Sequence, residues 1–381
     1  MNLVFFLNHL NHHQVALTDV FYKELGNDFV CILTVKSDFR ELKGGSDYSS
    51  RPYCINATES DKNYAIAIDC ARNADVCLFG AESIDYAIVR AKSQNTGLSF
   101  EVGERWFKKG ILNVFSPRFL KWLYNYFRYF KNNNFYRLCA SGFAAQDVNF
   151  FRAYRGRCFK WGYFIESNLE CENHLSETAC DKTPFNLMWC GRFIKWKHPE
   201  IPIILSSQLK AKGYKFCLDM YGDGGELKRV KDLVLRLGVD DVVNFCGVQS
   251  NEHIRSEMKL HDLFLLTSDQ NEGWGVVLNE AMLAGCTVVA SSKVGAVPFL
   301  LEDGVNGSIF ESGDITSLVE KVTLLLDNPM LRHIMSINAK HTISSVWSPT
   351  SAVKNLLQLI KALELKKVEL VPHVGPCSIV K

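Results

Sequence analysis

The chain has 381 residues, 47% hydrophobic and 22% charged, with 43 basic against 41 acidic side chains and a net charge of +2. So much apolar surface excludes a disordered chain, the length exceeds what one core usually fills, and the charge balance excludes a general polyanion binder. No apolar run is long enough to cross a bilayer, and the opening NLVFFLN lacks the basic start and cleavage pattern of a secretion leader. Thirteen cysteines are scattered from Cys31 to Cys377 without a C-x-x-C pair. They read as buried free thiols in a reducing cytoplasm, not as a disulfide framework or a zinc site. A cytoplasmic α/β protein of two domains is expected.

Short β-branched or aromatic runs alternate with amphipathic stretches from end to end. In the first half strands are expected at Leu3–Leu7, Phe29–Val35, Val76–Phe79, Leu98–Val102, Tyr136–Ala140 and Phe159–Phe164. Helical periodicity is clearest from His12 to Leu25 and from Ser83 to Lys92. Residues 167–183 are rich in carboxylates, lack periodicity and end at a Pro184 turn, so they read as a linker. Beyond it the expected strands are Phe185–Cys190, Lys215–Tyr221, Val242–Cys246, Leu263–Thr267, Thr287–Ala290 and Ser308–Phe310, with helices such as Leu227–Leu237 and Ile315–Asp327 between them. Strands apolar on both faces and separated by helices imply parallel sheets covered on both sides. The expectation is two Rossmann-like, doubly wound domains, residues 1–166 and 184–346. Ser348-Pro349 starts a last helix within residues 347–367, and residues 368–381 read as a loose tail.

Open parallel sheets bind ligands beyond the carboxyl ends of their strands, which directs attention to the loops there. In CGRFIKWKHPE, residues 190–200, Gly191 ends a strand, and Arg192 and Lys197 share the next loop. A planar guanidinium beside a point-charge ammonium suits two adjacent phosphates. YGDGGEL, residues 221–227, carries Gly222 in a turn before a helix, and Gly247-Val248 end the following strand where backbone groups can face a base. In DQNEGWGVVLNEAMLAG, residues 269–285, a helix from about Val276 to Leu283 follows a strand, so Glu272 lies in the loop and Glu280 in the helix. Gly273 and Gly275 let backbone approach a ligand closely, and free N–H groups of Val276, Val277 and Leu278 make an anion site suited to a diphosphate. A buried Glu280 needs hydrogen-bond donors, which a ribose diol supplies. A solvated basic loop and a surface helix with two solvated glutamates are the plain alternatives for these motifs taken singly. No D-x-D occurs, so Arg192, Lys197 and the helix start are expected to neutralise a diphosphate without a metal, and no cofactor is called for.

The pieces GRFIKWK, YGDGGELKRVKDL, VNFCGV, HDLFLLTS, EGWGVVLNEAMLAG and VVASSKVGAVPFLLEDGVNGSIFESGD stand in order between Leu187 and about Leu326. Together they resemble the donor-binding domain of the GT-B glycosyltransferases, specifically the retaining glycosyltransferase family 4. The resemblance implies two Rossmann-like domains facing a cleft, with the last helix crossing back to the N-terminal, acceptor-binding domain. It implies transfer of a sugar from a UDP- or GDP-sugar to an acceptor hydroxyl with retention, the leaving phosphate itself taking the acceptor proton. Arg192 and Lys197 then bind the diphosphate, Glu272 touches the sugar hydroxyls and Glu280 holds the ribose. Gly191, Gly222, Gly247, Val248, Gly273, Trp274, Gly275, Val276 and Val277 complete the implied donor set. His198 stands where the family has a glycine, and Pro298 where it often has a glutamate. The first loop, NHLNHHQ at residues 8–14, stands where the family usually has two glycines, and His12 or His13 is expected either to contact acceptor or phosphate, or to cap a helix or be solvated at the surface. Glu104 and Arg105 fall where related enzymes have an acceptor-side polar residue.

Residues 105–137 carry eight Lys or Arg, twelve aromatics and no acid. An anionic membrane surface, a core whose charges snorkel outward, and a single-stranded nucleic acid all fit that pattern. The expectation taken forward is a glycan or lipid-linked acceptor, contact with an anionic membrane at its cytoplasmic face, and no nucleic-acid partner. A sugar-nucleotide epimerase or hydrolase using the same donor site, and a non-catalytic binding protein, stand beside the transferase as rivals.

Overall fold

The computed structural model describes residues 1–35, 49–93, 95–166 and 184–380, without the side chain of His12. The expected linker at residues 167–183 lies outside the described residues. Met1–Glu166 with Trp347–Lys381 forms one compact unit, and Ser167–Val346 forms another.

The first unit is built on seven strands: β1 (Leu3–Leu7), β2 (Phe29–Leu33), β3 (Cys54–Asn56), β4 (Val76–Phe79), β5 (Leu98–Gly103), β6 (Phe135–Cys139) and β7 (Cys158–Lys160). They lie in the order β3-β2-β1-β4-β5-β6-β7, and their pairings are parallel. Every residue of β1 and β4 is buried, as expected where helices cover both faces of a sheet. The second unit carries β8 (Phe185–Cys190), β9 (Phe216–Tyr221), β10 (Val243–Gly247), β11 (Leu263–Leu266), β12 (Thr287–Ser291) and β13 (Ser308–Phe310) in the order β10-β9-β8-β11-β12-β13. In each sheet the winding reverses beside the first strand, at β1/β4 and at β8/β11, and ligands gather at such reversals. Both sheets match the doubly wound reading.

The differences lie at edges. β3 is a three-residue strand, Cys-Ile-Asn, too short to show a pattern. The strand expected to run to Phe164 stops at Lys160. The expected loose tail is a correction, because it is held against β7. Cys377 N–H donates to the Lys160 carbonyl at 2.7 Å, Lys160 N–H to Ser378 at 2.8 Å, and Phe159 bridges Ile379 antiparallel. β7 is the last strand of its sheet, and its unpaired N–H and C=O groups take the tail as a partner. Helix Pro349–Glu364 starts on Ser348, whose hydroxyl accepts from Ser351 N–H, and packs on helix His12–Leu25 within the first unit.

The basic aromatic stretch divides between interior and surface. Phe107, Phe119, Trp122, Tyr126, Phe130 and Phe135 are buried in the first unit's core. Leu112, Phe115, Leu120, Tyr124 and Phe127 are exposed, alongside Arg118, Lys121 and Arg128, so the open side of helix Pro117–Asn125 and its flanks mixes apolar and basic residues.

Candidate functional site

Three strand ends of the second unit are tied together by glycine backbone. Gly191 N–H donates to Tyr221 O at 3.0 Å, and Gly222 N–H to Gly247 O at 2.7 Å, linking the loops after β8, β9 and β10. Gly222 has φ +125°, and a Cβ there would overlap the Gly191 carbonyl, so only glycine fits. Gly247 and Val248 are exposed at the end of β10. The loop after β8 is fixed to the one after β11: Thr267 Oγ1 donates to Lys197 O at 2.8 Å, and Asp269 N–H to Trp196 O at 3.0 Å. That docking brings the Lys197 ammonium onto the Glu272 carboxylate as an ion pair, both side chains largely buried. Arg192 stays exposed, its guanidinium 5.6 Å from the Trp196 ring centre.

His198 explains how a non-glycine serves in this loop. It adopts the left-handed conformation, φ 49° and ψ 55°, which glycine takes freely and histidine at a cost. Its ring is clamped by Glu200 at 2.9 Å and Asp269 at 3.3 Å. The hydrogen bond to Glu200 raises its pKa, with Asp269 adding to the effect against partial burial. The clamp holds the loop shape that the substitution threatens.

Helix Val277–Ala284 begins one residue later than expected, with Val276 as N-cap. Leu278 N–H is donated to Gly275 O at 2.9 Å, a correction that leaves Val276 and Val277 as the open donors of the three. Gly275 has φ +89°, and a Cβ there would press on Val294 and Glu272. Gly273 is buried beside it. Trp274 departs from the expected ligand contact: its ring is buried and its indole N–H goes to Asn279 at 2.9 Å, so it braces the loop from beneath. Glu280 is mostly buried and accepts from Arg255 at 3.1 and 3.3 Å. Burial pushes its pKa up, and Arg255 offsets part of the rise. Arg255, which the sequence does not single out, lies on a polar helix with no local signal. Pro298 falls in the short helix Val297–Leu300.

This arrangement places cations, open amide donors and two carboxylates along one edge of the sheet. Residues 172–342 match the family of glycosyl transferases group 1. Relatives align with parts of the chain. The N-acetyl-alpha-D-glucosaminyl L-malate synthase of Bacillus anthracis is 32% identical over 32% of this chain and 32% of its own. The alpha-D-kanosaminyltransferase of Streptomyces kanamyceticus is 28% identical over 47% of this chain and 46% of its own. The matched stretch therefore spans a third to a half of these curated relatives. Among solved structures, Anabaena Alr3699/HepE in complex with UDP superposes over 96% of this chain and 100% of its own, with a TM-score of 0.71 and 19% identity. That likeness extends to both units and supports the two-domain GT-B type of fold.

Outside the stretch that matches this family, the first unit holds a cavity of about 660 Å³ at the carboxyl ends of β1, β4 and β5. His13, Glu104 and Arg105 all line it. His12 opens helix His12–Leu25, whose cap is Asn11, accepting from His13 N–H at 3.0 Å, so neither histidine serves as the cap. Glu104 pairs with Lys108 and accepts from Tyr163 at 3.1 Å. Arg105 reaches Asp147 at 3.4 Å, and Asp147 also takes the N–H groups of Trp106 and Phe107 at 2.7 and 2.9 Å.

Deeper in the lining are two residues that sequence reasoning missed. Glu101 and Arg137 are register partners on β5 and β6 and form a buried ion pair at 2.8 Å. Glu101 also accepts from Trp122 Nε1 at 2.7 Å and Tyr154 OH at 2.8 Å. Burial opposes the Arg137 charge, but Glu101 together with Cys139, Tyr154 and Cys158 outweighs it and raises the pKa. Two opposite charges inside apolar strands, LSFEVG and FYRLC, were the available signal. Among the described residues, no group of three or more His, Cys, Asp or Glu is placed to hold a metal ion.

Proposed function

We propose that the protein transfers a sugar from a nucleoside-diphosphate sugar to an acceptor hydroxyl, with retention and without a metal. The observation that carries the reading is the convergence of Lys197 and Glu272, two loops apart in sequence, into one ion pair beside a helix start that carries open amides and Glu280. A diphosphate entering here competes for Lys197, which with Arg192 and the Val276 and Val277 amides supplies the counter-charge that the departing diphosphate requires. Lys197 leaving Glu272 frees that carboxylate for hydroxyls of the sugar. Glu280, mostly buried and paired with Arg255, offers its oxygens to a ribose diol once Arg255 yields. The leaving phosphate takes the acceptor proton, so no second carboxylate is needed. HepE was solved with UDP, which supports a UDP-sugar donor.

The acceptor in this proposal is a glycan or a lipid-linked glycan of surface polysaccharide synthesis, met at the cytoplasmic face of a membrane. The exposed Ile111, Leu112, Phe115, Leu120, Tyr124 and Phe127 support membrane contact, set among basic residues in a stretch without acids. Turnover of UDP-sugars with acceptor should fall by orders of magnitude in Arg192→Ala and in Lys197→Ala, with melting temperatures little changed. Full activity in both variants overturns the assignment. Restoration of chelated enzyme by magnesium overturns the metal-free claim, and an inverted anomer in the product overturns retention.

A further inference from the structure

Helix Pro329–His341 of the second unit has two sides of unlike character. On one, Arg332, Met335, Ser336 and Ala339 are buried. The Arg332 guanidinium donates to Leu325 O at 2.7 Å, the Arg332 carbonyl accepts from Thr287 Oγ1 at 2.9 Å, and Asn338 Nδ2 donates to Val305 O at 2.9 Å. These bonds hold the helix rigidly on its domain. The other side carries Met330, Ile334 and Ile337, which are 64%, 48% and 50% exposed, and then the exposed His341. Their spacing of four, three and four residues is that of a coiled-coil seam, so they form one stripe along the helix. Apolar side chains scattered singly on a surface need no explanation, but a stripe of them on a fixed helix marks an interaction surface.

The charges around the stripe say what covers it. Asp327, exposed, stands just ahead of the helix, and Lys340 and His341 lie in its last turn. The order acid, three apolar residues, base is complementary to itself when reversed. A second copy laid antiparallel, with the two-fold axis at Ile334, sets Ile334 on Ile334, Met330 opposite Ile337, and Asp327 opposite Lys340. Antiparallel helix dipoles favour the same arrangement, and such a contact closes on itself after two copies. A parallel copy instead sets Asp327 against Asp327, and an anionic membrane meets that carboxylate at one end of the stripe. A helix of this length is about 20 Å long, which offers less contact than a permanent dimer uses, so the pair forms with rising concentration.

We infer that this face joins two copies of the chain through an antiparallel helix pair. The pairing owes nothing to the donor site and stands whether or not a sugar is transferred.

The test is sedimentation equilibrium of the full chain from about 1 to about 200 µM, a range that brackets a weak dimer. The parent should pass from one chain to two. Ile334→Asp sets two carboxylates on the axis and should weaken association about tenfold or more, with the melting temperature unchanged where the parent is single. Asp327→Lys should weaken it about threefold, and adding Lys340→Asp should restore the parent's constant. On mild oxidation Ile334→Cys should cross-link to itself, while Met330→Cys and Ile337→Cys should cross-link only when mixed, above the background of the parent's own cysteines. A parent that stays single throughout overturns the pairing, and one that stays single but floats with anionic vesicles through Ile334 gives the face to lipid. Undiminished association in Ile334→Asp overturns the location. Self-cross-linking of all three cysteine variants, or a charge swap that restores nothing, overturns the antiparallel arrangement.

Discussion

Each unit holds a lysine- or arginine-to-glutamate pair, one in the loops beyond its strands and one within the ladder, and the two are built differently. Lys197 and Glu272 come from separate loops, joined by hydrogen bonds from the Thr267 hydroxyl and the Asp269 N–H to carbonyls of residues 196–198, and each keeps a little solvent contact. Arg137 and Glu101 come from adjacent strands, are fixed by register, and lie under a helix with Trp122 and Tyr154 completing the network. In the proposed reaction the loop pair exchanges partners, and neither of its residues is fixed by strand register. The strand pair cannot exchange, since releasing either charge leaves the other desolvated. One pair is suited to chemistry and the other to holding a wall.

Replacing Arg137 by Leu tests that contrast most severely. It strands Glu101 without its cation, and a buried pair broken on one side costs about 3–5 kcal/mol. Chemical denaturation should show such a loss, against a much smaller one for Lys197→Ala. Equal losses break the comparison. Gly222→Ala comes next. A side chain there meets the Gly191 carbonyl at φ +125°, so the β8, β9 and β10 loops must separate, at about 1–3 kcal/mol for the backbone conformation alone. UDP affinity and melting temperature should fall together, and a variant as stable as the parent contradicts the glycine suture.

His198 gives a pH-dependent effect of about 1 kcal/mol or less, since the ring is partly solvated. Its folded pKa is raised, so protonation favours the native state. Its contribution is fully present below the unfolded value of about 6.5 and is lost as pH rises through the folded value. His198→Asn tolerates the left-handed backbone and deletes the charge. The stability gap between it and the parent should be wider at pH 5.5 than at pH 9, and a gap constant with pH refutes the clamp. The smallest effect is expected for Arg118→Ala, whose partner Glu82 lies 2.7 Å away in solvent. Such exposed pairs contribute within about 0.5 kcal/mol, and a larger loss would show that solvent exposure is not what separates strong pairs from weak ones here.

Most of the fold was legible because strands such as LVFFL are apolar on both faces, a pattern peculiar to covered parallel sheets. The loops that carry the expected donor-side residues were legible as strand-to-helix turns, because they form contiguous motifs whose glycines mark close backbone approach. Trp274, implied as a donor residue by the resemblance alone, turns its side chain inward onto Asn279, a partner that the motif does not reveal. The tail misled for another reason: SIV has no helical period, and edge pairing to β7 depends on a partner distant in sequence. Arg255 and the Glu101–Arg137 pair share that difficulty, because their meaning arises only when separate elements meet.

The central claim is that the second unit grips a nucleoside diphosphate with its own cations and amides. Calorimetric titration of UDP into the metal-free protein, and into Lys197→Ala and Arg192→Ala, tests it directly. Saturable binding at one site per chain, weakened tenfold or more in each variant, is the predicted result. No binding, or equal affinity in all three proteins, contradicts it.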